Sequence, residues 1–131
     1  MLRFRWPFAV LTALYCTGIY RLSAQSDLLD DTPSWLEQAG VDKLAHAIVF
    51  GGLGGLVHQG LVRSNAALGP RMRWALPLAF TVLYGLSDEI HQRFVPNRHF
   101  DLLDLLADGV GALAVVALLE WRQQAAGRMP G

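Results

Sequence analysis

Charge is scarce in this sequence. Only 17% of its 131 residues are Asp, Glu, Lys or Arg, against ~25% in an ordinary soluble domain. The 11 basic and 11 acidic residues cancel, so no basic field exists to attract nucleic acid, and nucleic acid is not expected as a partner. Cysteine is nearly absent. Cys16 stands alone inside an apolar stretch, which excludes a disulfide framework or a thiolate metal site within one chain. No low-complexity tract or internal repeat is present. HExxH, GxSxG and the Walker phosphate loop are all missing, so no established hydrolase or nucleotide motif organises the chemistry.

What fills the chain is apolar: 53% of residues are hydrophobic, gathered into long blocks. A bilayer core ~30 Å thick requires about 20 mostly apolar residues in a helix. Four stretches meet or approach that requirement: 6–24, 43–62, 74–92 and 101–121. The first carries only Arg21, near one end; the second is rich in Gly; the third is apolar until Asp88; the fourth confines its acids to the first two turns. Irregular backbone cannot face lipid, so each block is predicted as a helix. The expected fold is all-α, a single membrane domain over 1–131 built as an integral membrane four-helix bundle. The first block has a second reading. Arg3 and Arg5, an apolar run and Leu22-Ser23-Ala24 also form the pattern of a cleaved signal peptide, against which Arg21 sits awkwardly.

Basic residues in short loops set orientation. The N-terminus has Arg3 and Arg5, the second loop Arg63, Arg71 and Arg73, and the C-terminal tail Arg122 and Arg128. Four spans put these segments on one side, so both termini are predicted to be cytoplasmic in a multi-pass protein. The opposite side has Arg21, Lys43, Arg93 and Arg98, with nearly all the acids; only Glu120 falls on the inner side. In the first outer loop, Asp31 or Thr32 can cap a short helix begun by Pro33 and ended by Gly40, with Trp35 and Leu36 lying in the interface.

This topology brings the start of helix two, the end of helix three and the start of helix four to one end. Asp42, Lys43, His46, Asp88, Glu89, His91, Gln92, Arg98, Asp101, Asp104 and Asp108 all lie there. Asp42 and His46 are four apart and share a helix face; Asp101, Asp104, Asp108 and Gly111 follow spacings of three, four and three. At ~1.5 Å per residue, His46, Glu89 and Asp104 lie about 5–6 Å inside their helix ends and Asp108 about 10 Å. A charge facing lipid there costs at least ~2–3 kcal/mol, so these side chains should point inward and pair.

Several have plain structural readings. Asp42 and Asp101 stand where N-caps belong, and Asp104 can complete a capping arrangement with Asp101. Lys43, Arg93 and Arg98 can snorkel to lipid phosphates. Gly51 and Gly55 form a helix-packing surface. His58 lies near the inner end, as a structural or exposed residue. Capping does not account for His46, Glu89 and Asp108, which become the candidate catalytic residues.

The sequence resembles the VanZ-like family of small bacterial membrane proteins. The matching segments are Asp42-Lys43-Leu44-Ala45-His46, then Tyr84-Gly85-Leu86-Ser87-Asp88-Glu89-Ile90-His91-Gln92, then Phe94-Val95-Pro96-Asn97-Arg98, and Asp101-Leu102-Leu103-Asp104-Leu105-Leu106-Ala107-Asp108 with Gly111. They occur in order over 42 to about 119. Two positions depart from the family's pattern: Asn97 stands where Gly is more usual, and Asp108 where Asn is usual. Asn tolerates a left-handed turn, whereas Asp108 adds a charge. The resemblance implies a bacterial cytoplasmic (inner) membrane location and a link to teicoplanin-type glycopeptide resistance, after the protein that gives the family its name.

Three functions compete. In the first, an extracytoplasmic site binds or modifies a cell-envelope amphiphile such as a lipid-linked wall precursor or a lipoglycopeptide. Asp42, Lys43, His46, Glu89, Gln92, Arg98, Asp101 and Asp104 would form it, with Arg98 on a phosphate or carboxylate. In the second, a membrane-embedded enzyme acts on a lipid-linked phosphate or headgroup, with His46 as general base or with His46, Glu89 and Asp104 holding a divalent metal. The sequence itself requires no cofactor. In the third, Asp108 and Glu89 titrate during proton-coupled lipid flipping by an oligomer. A purely structural polar network is the bland alternative to all three.

Overall fold

The computed structural model describes residues 5–26, 40–65 and 67–127. These form four helices and no strand: α1 (Trp6–Ser23), α2 (Val41–Ser64), α3 (Pro70–Gln92) and α4 (Leu102–Ala126). The all-α, four-helix expectation is met. By length and composition, α2 and α4 are able to cross a membrane. Trp6, Pro7, two tyrosines and Arg21 dilute α1, while Arg71, Arg73, Asp88, Glu89 and His91 dilute α3. Residues 31–39 of the predicted short helix, Trp35 and Leu36 among them, together with Arg3 and Arg128, lie outside the described residues.

Local signals fix the helix ends better than hydropathy does. α3 begins at Pro70, after Gly69 as N-cap, earlier than the predicted 74. Proline is pre-organised for a first helical turn, and the charged Arg71 and Arg73 do not oppose a helix. α4 continues past 121 to Ala126 through Gln and Ala, both good helix formers. Asp101 caps α4 as predicted, its side chain accepting from the Leu103 N–H at 2.8 Å. Asp42 does not cap α2. That position is held by Gly40 in a left-handed conformation (φ 73°), which brings the chain into the helix two residues earlier. Asn97 is likewise left-handed, at φ 61°, in the turn between α3 and α4.

The most extensive interface joins α2 to α4. Pairings of His46 with Asp108, Gly51 with Gly111, Gly55 with Val115 and His58 with Glu120 advance together along both chains, so the helices run parallel. Small residues allow this closeness. A Cβ on Gly111 would run into the backbone of Ala47, and one on Gly51 would meet the Gly111 carbonyl at 3.0 Å. The predicted Gly51/Gly55 packing surface is thus the α2 side of this interface. α1 attaches through three side-chain hydrogen bonds: Tyr15 Oη to the Val49 carbonyl (2.8 Å), Tyr84 Oη to the Cys16 carbonyl (2.6 Å) and Ser23 Oγ to Asp88 (2.6 Å).

Burial departs from that of a water-soluble bundle in two respects. His58, Thr81, Glu89 and Asp108 are all 0% exposed, alongside apolar Phe50, Leu53 and Val116. Ile48, Leu83, Val110 and Trp121, in contrast, are each more than 60% exposed. Large apolar side chains cover much of the outside, while the interior combines an apolar core of Ile19, Phe50, Leu53, Val57 and Leu61 with buried ionisable groups.

Candidate functional site

The first turns of α2 and α4 and the last turns of α3 meet at one end of the bundle. His46, one turn into α2, directs Nδ1 at Asp108 Oδ1 (2.9 Å) and Nε2 toward Asp104 Oδ2 (3.7 Å). Asp108 fits because Gly85 on α3 has no side chain; a Cβ there would stand 2.5 Å from Asp108 Oδ2. Glu89 reaches from α3 to the start of α4, where its Oε2 accepts from the Asp101 N–H at 2.8 Å. A capping box would have assigned that N–H to Asp104. Glu89 takes it instead, which leaves Asp104 facing His46 and Lys43.

Lys43 sits among three carboxylates: Asp42 Oδ2 at 2.6 Å, Asp101 Oδ2 at 2.7 Å and Asp104 Oδ1 at 2.9 Å. Its charge is committed inside the protein rather than to a lipid phosphate. The Lys43 ammonium, and then the Leu103 N–H, hold the Asp101 carboxyl below the ordinary carboxylate range.

Among the described residues, four carboxyl oxygens of the cluster have no hydrogen-bond partner, Asp42 Oδ1, Glu89 Oε1, Asp104 Oδ1 and Asp108 Oδ2, and the side chains of Glu89 and Asp108 are wholly buried. His46, Glu89 and Asp104 each present one ligand atom, and these atoms lie within 4.8 Å of one another.

Among the sequence-predicted site residues, the structure brings together Asp42, Lys43, His46, Glu89, Asp101, Asp104 and Asp108. Gln92 is turned elsewhere: its Nε2 donates to Asp88 Oδ2 (3.2 Å), whose other oxygen accepts from Ser23. Arg98 stands on the turn before α4 and donates to the Gln25 carbonyl at 3.2 Å. Among the described residues it has no carboxylate partner.

A protein-family model described as VanZ/LLP1 matches residues 5–123. The chain belongs to that family. The match takes in α1, which the sequence motifs beginning at Asp42 did not reach. No curated protein and no solved structure matches the chain.

The VanZ/LLP1 bundle holds a second polar centre that the sequence reading missed. At the opposite end, His58 Nε2 meets Glu120 Oε1 at 2.7 Å, with Arg73 4.0 Å from the same oxygen. His58 and Glu120 lie 12 residues beyond His46 and Asp108 respectively, and that equal step on two parallel helices was the available signal. Ser23 was missed because α1 offered no motif. Tyr15 and Tyr84 were missed because apolar periodicity does not mark a phenol that bonds a neighbouring helix.

Proposed function

We propose that this VanZ/LLP1 protein is a multi-pass membrane protein, both termini cytoplasmic, whose outer polar cluster engages the phosphate-bearing headgroup of a cell-envelope amphiphile. The observation that carries the reading is the pair of wholly buried carboxylates, Glu89 and Asp108, each with an oxygen left unpaired. Leaving a buried carboxylate oxygen unmet costs ~1–3 kcal/mol, which a ligand or ion at that oxygen would recover. The exposed apolar surface supports the membrane setting, since Ile48, Leu83, Val110 and Trp121 on the outside are stable against lipid and promote aggregation in water.

Arg98 supplies the anion contact. It stands on the turn before α4, three residues from Asp101, and no described carboxylate pairs with its guanidinium. Lys43, saturated by three aspartates, orients the acids instead. Sequestering a lipid-linked wall precursor, or intercepting a lipoglycopeptide at the same depth, would give protection from teicoplanin-type antibiotics.

The test uses purified chain in lipid discs containing a polyprenyl phosphate, compared with discs of neutral lipid alone. The parent should bind the polyprenyl phosphate. Arg98→Ala should weaken binding about 10-fold or more, the value of one charge-assisted contact, and Glu89→Gln should weaken it by removing one of the acids that orient the cationic groups. Equal binding by all three proteins would refute the site. A teicoplanin-sensitive Gram-positive host should be protected by the parent and not by Glu89→Gln at matched membrane levels.

The His46–Asp108 pair favours a second reading, catalysis on the same headgroup. Asp108 fixes the imidazole so that Nε2 can act as a base. Release of phosphate in the discs, abolished in His46→Ala with headgroup binding retained, would distinguish turnover from binding.

A further inference from the structure

The cluster at the outer end is overloaded with negative charge. Asp42, Asp101, Asp104, Asp108 and Glu89 converge there, and only Lys43 and His46 oppose them. Even with the imidazole protonated, three carboxylates remain without a countercharge. Carboxylates removed from water need a cation, a proton or a hydrogen-bond donor. Lys43 neutralises the outer part of the cluster. Nothing described answers Glu89 Oε1, in a side chain that is 0% exposed.

The histidine is arranged as a metal ligand is arranged. Its Nδ1 is held by a fully buried carboxylate, Asp108, at 2.9 Å. With the ring proton on Nδ1, donated to Asp108, the Nε2 lone pair faces Asp104 Oδ2 at 3.7 Å. A carboxylate behind a histidine whose other nitrogen faces a metal is the recurrent outer-shell arrangement of such sites, fixing both tautomer and ring direction. The three inward-facing donor atoms then lie within 4.8 Å of one another, drawn from three different helices.

We infer that His46 Nε2, a Glu89 carboxylate oxygen and Asp104 Oδ2 bind one divalent transition-metal ion, with Asp108 orienting His46 from behind. One imidazole and two carboxylates suit Mn²⁺ or Zn²⁺. Three protein ligands leave coordination positions open, and an oxygen of a phosphate headgroup can fill one. The inference deepens the headgroup reading, since the metal supplies the positive charge that an acid-rich site lacks for an anionic ligand. Lys43 has an opposing effect: its ammonium lies 2.9 Å from the same Asp104 carboxylate and lowers the site's affinity for a second cation.

The experiment titrates Zn²⁺, Mn²⁺ and Mg²⁺ separately into chelator-stripped full-length protein in discs of zwitterionic lipid, by calorimetry and, for Mn²⁺, by electron paramagnetic resonance. One Zn²⁺ or Mn²⁺ per chain is expected. Glu89→Gln and His46→Ala should lose stoichiometric binding, while His99→Ala should keep it. Asp108→Asn, which retains an acceptor for Nδ1–H, should weaken binding ~10–100-fold. Lys43→Met should bind more tightly than the parent, an outcome that loss of structure cannot imitate. No stoichiometric uptake by the folded parent, binding of Mg²⁺ alone, undiminished uptake in Glu89→Gln, or unchanged affinity in Lys43→Met would each overturn the inference. Polyprenyl phosphate binding is then measured with and without chelator. Metal uptake without headgroup binding would reject the functional reading and keep the metal site. Headgroup binding unaffected by chelator would keep that reading and remove the metal from it.

Discussion

Asp101 serves two partners with its two oxygens. Oδ1 accepts from the Leu103 N–H at the start of α4, and Oδ2 meets the Lys43 ammonium across the helix boundary. Asp101→Asn separates these roles, because asparagine caps a helix as well as aspartate does but carries no charge. The variant should lose about 0.5–1 kcal/mol at pH 7, the ordinary value of a partly exposed ion pair. Since Lys43 lowers the folded-state pKa of Asp101, this contribution is complete above the unfolded value of ~3.9 and disappears as pH falls through the lower folded one. Apparent melting temperatures of parent and variant in detergent should therefore differ at pH 7 and begin to converge only as pH falls below ~4. A gap that persists unchanged into acid would mean the carboxylate charge is not what stabilises. Asp101 was legible in sequence as a cap, but its ion pair was not, because pairing depends on how far α2 is rotated about its own axis.

The α2–α4 interface makes the strongest demand on side-chain size. Gly111→Ala would drive a Cβ into the Ala47 backbone, which cannot yield as a flexible side chain can. The expected cost is ~1–3 kcal/mol, read as reduced folded yield and a lower melting temperature. Gly18→Ala is the control: a Cβ there meets nothing within 4 Å, and alanine is the better helix former by roughly 0.5–1 kcal/mol. Equal behaviour of the two variants would mean the close approach does not govern stability. The sequence announced this interface through Gly51 and Gly55, and announced the polar convergence through topology alone. It gave α3 and α4 shorter than they are because apolarity marks what can sit in hydrocarbon, whereas a helix continues while its backbone bonds and residue propensities allow. Asp42 was misplaced as a cap for a related reason: Gly40 accomplishes the turn with its backbone and leaves the aspartate free for Lys43.

For the whole molecule, the proposed four-span arrangement has the α3–α4 turn outside and the α2–α3 connection inside. Cys16 is the only native cysteine, so a Cys16→Ala background permits single-cysteine mapping. His99→Cys, exposed on the outer turn, should react with a membrane-impermeant maleimide in intact spheroplasts. Ala67→Cys, exposed between α2 and α3, should react only after lysis. The reverse pattern would invert the topology, and labelling of both sites in sealed spheroplasts would contradict the four-span arrangement.

The two histidine–carboxylate contacts act like rungs at either end of a ladder whose rails are α2 and α4. Sliding one rail along the other would shear both rungs together, and the glycine contacts between them leave no slack for a partial slip. Three of the four inward-facing groups at the outer end, His46, Asp104 and Asp108, ride on these locked rails, while Glu89 rides on α3, whose interfaces with them are much smaller. Any widening of the outer end that spares the rungs must therefore swing Glu89 away and break its bond to the Asp101 N–H. Through that one bond Glu89 both lines the polar cluster and fastens α3 to the start of α4.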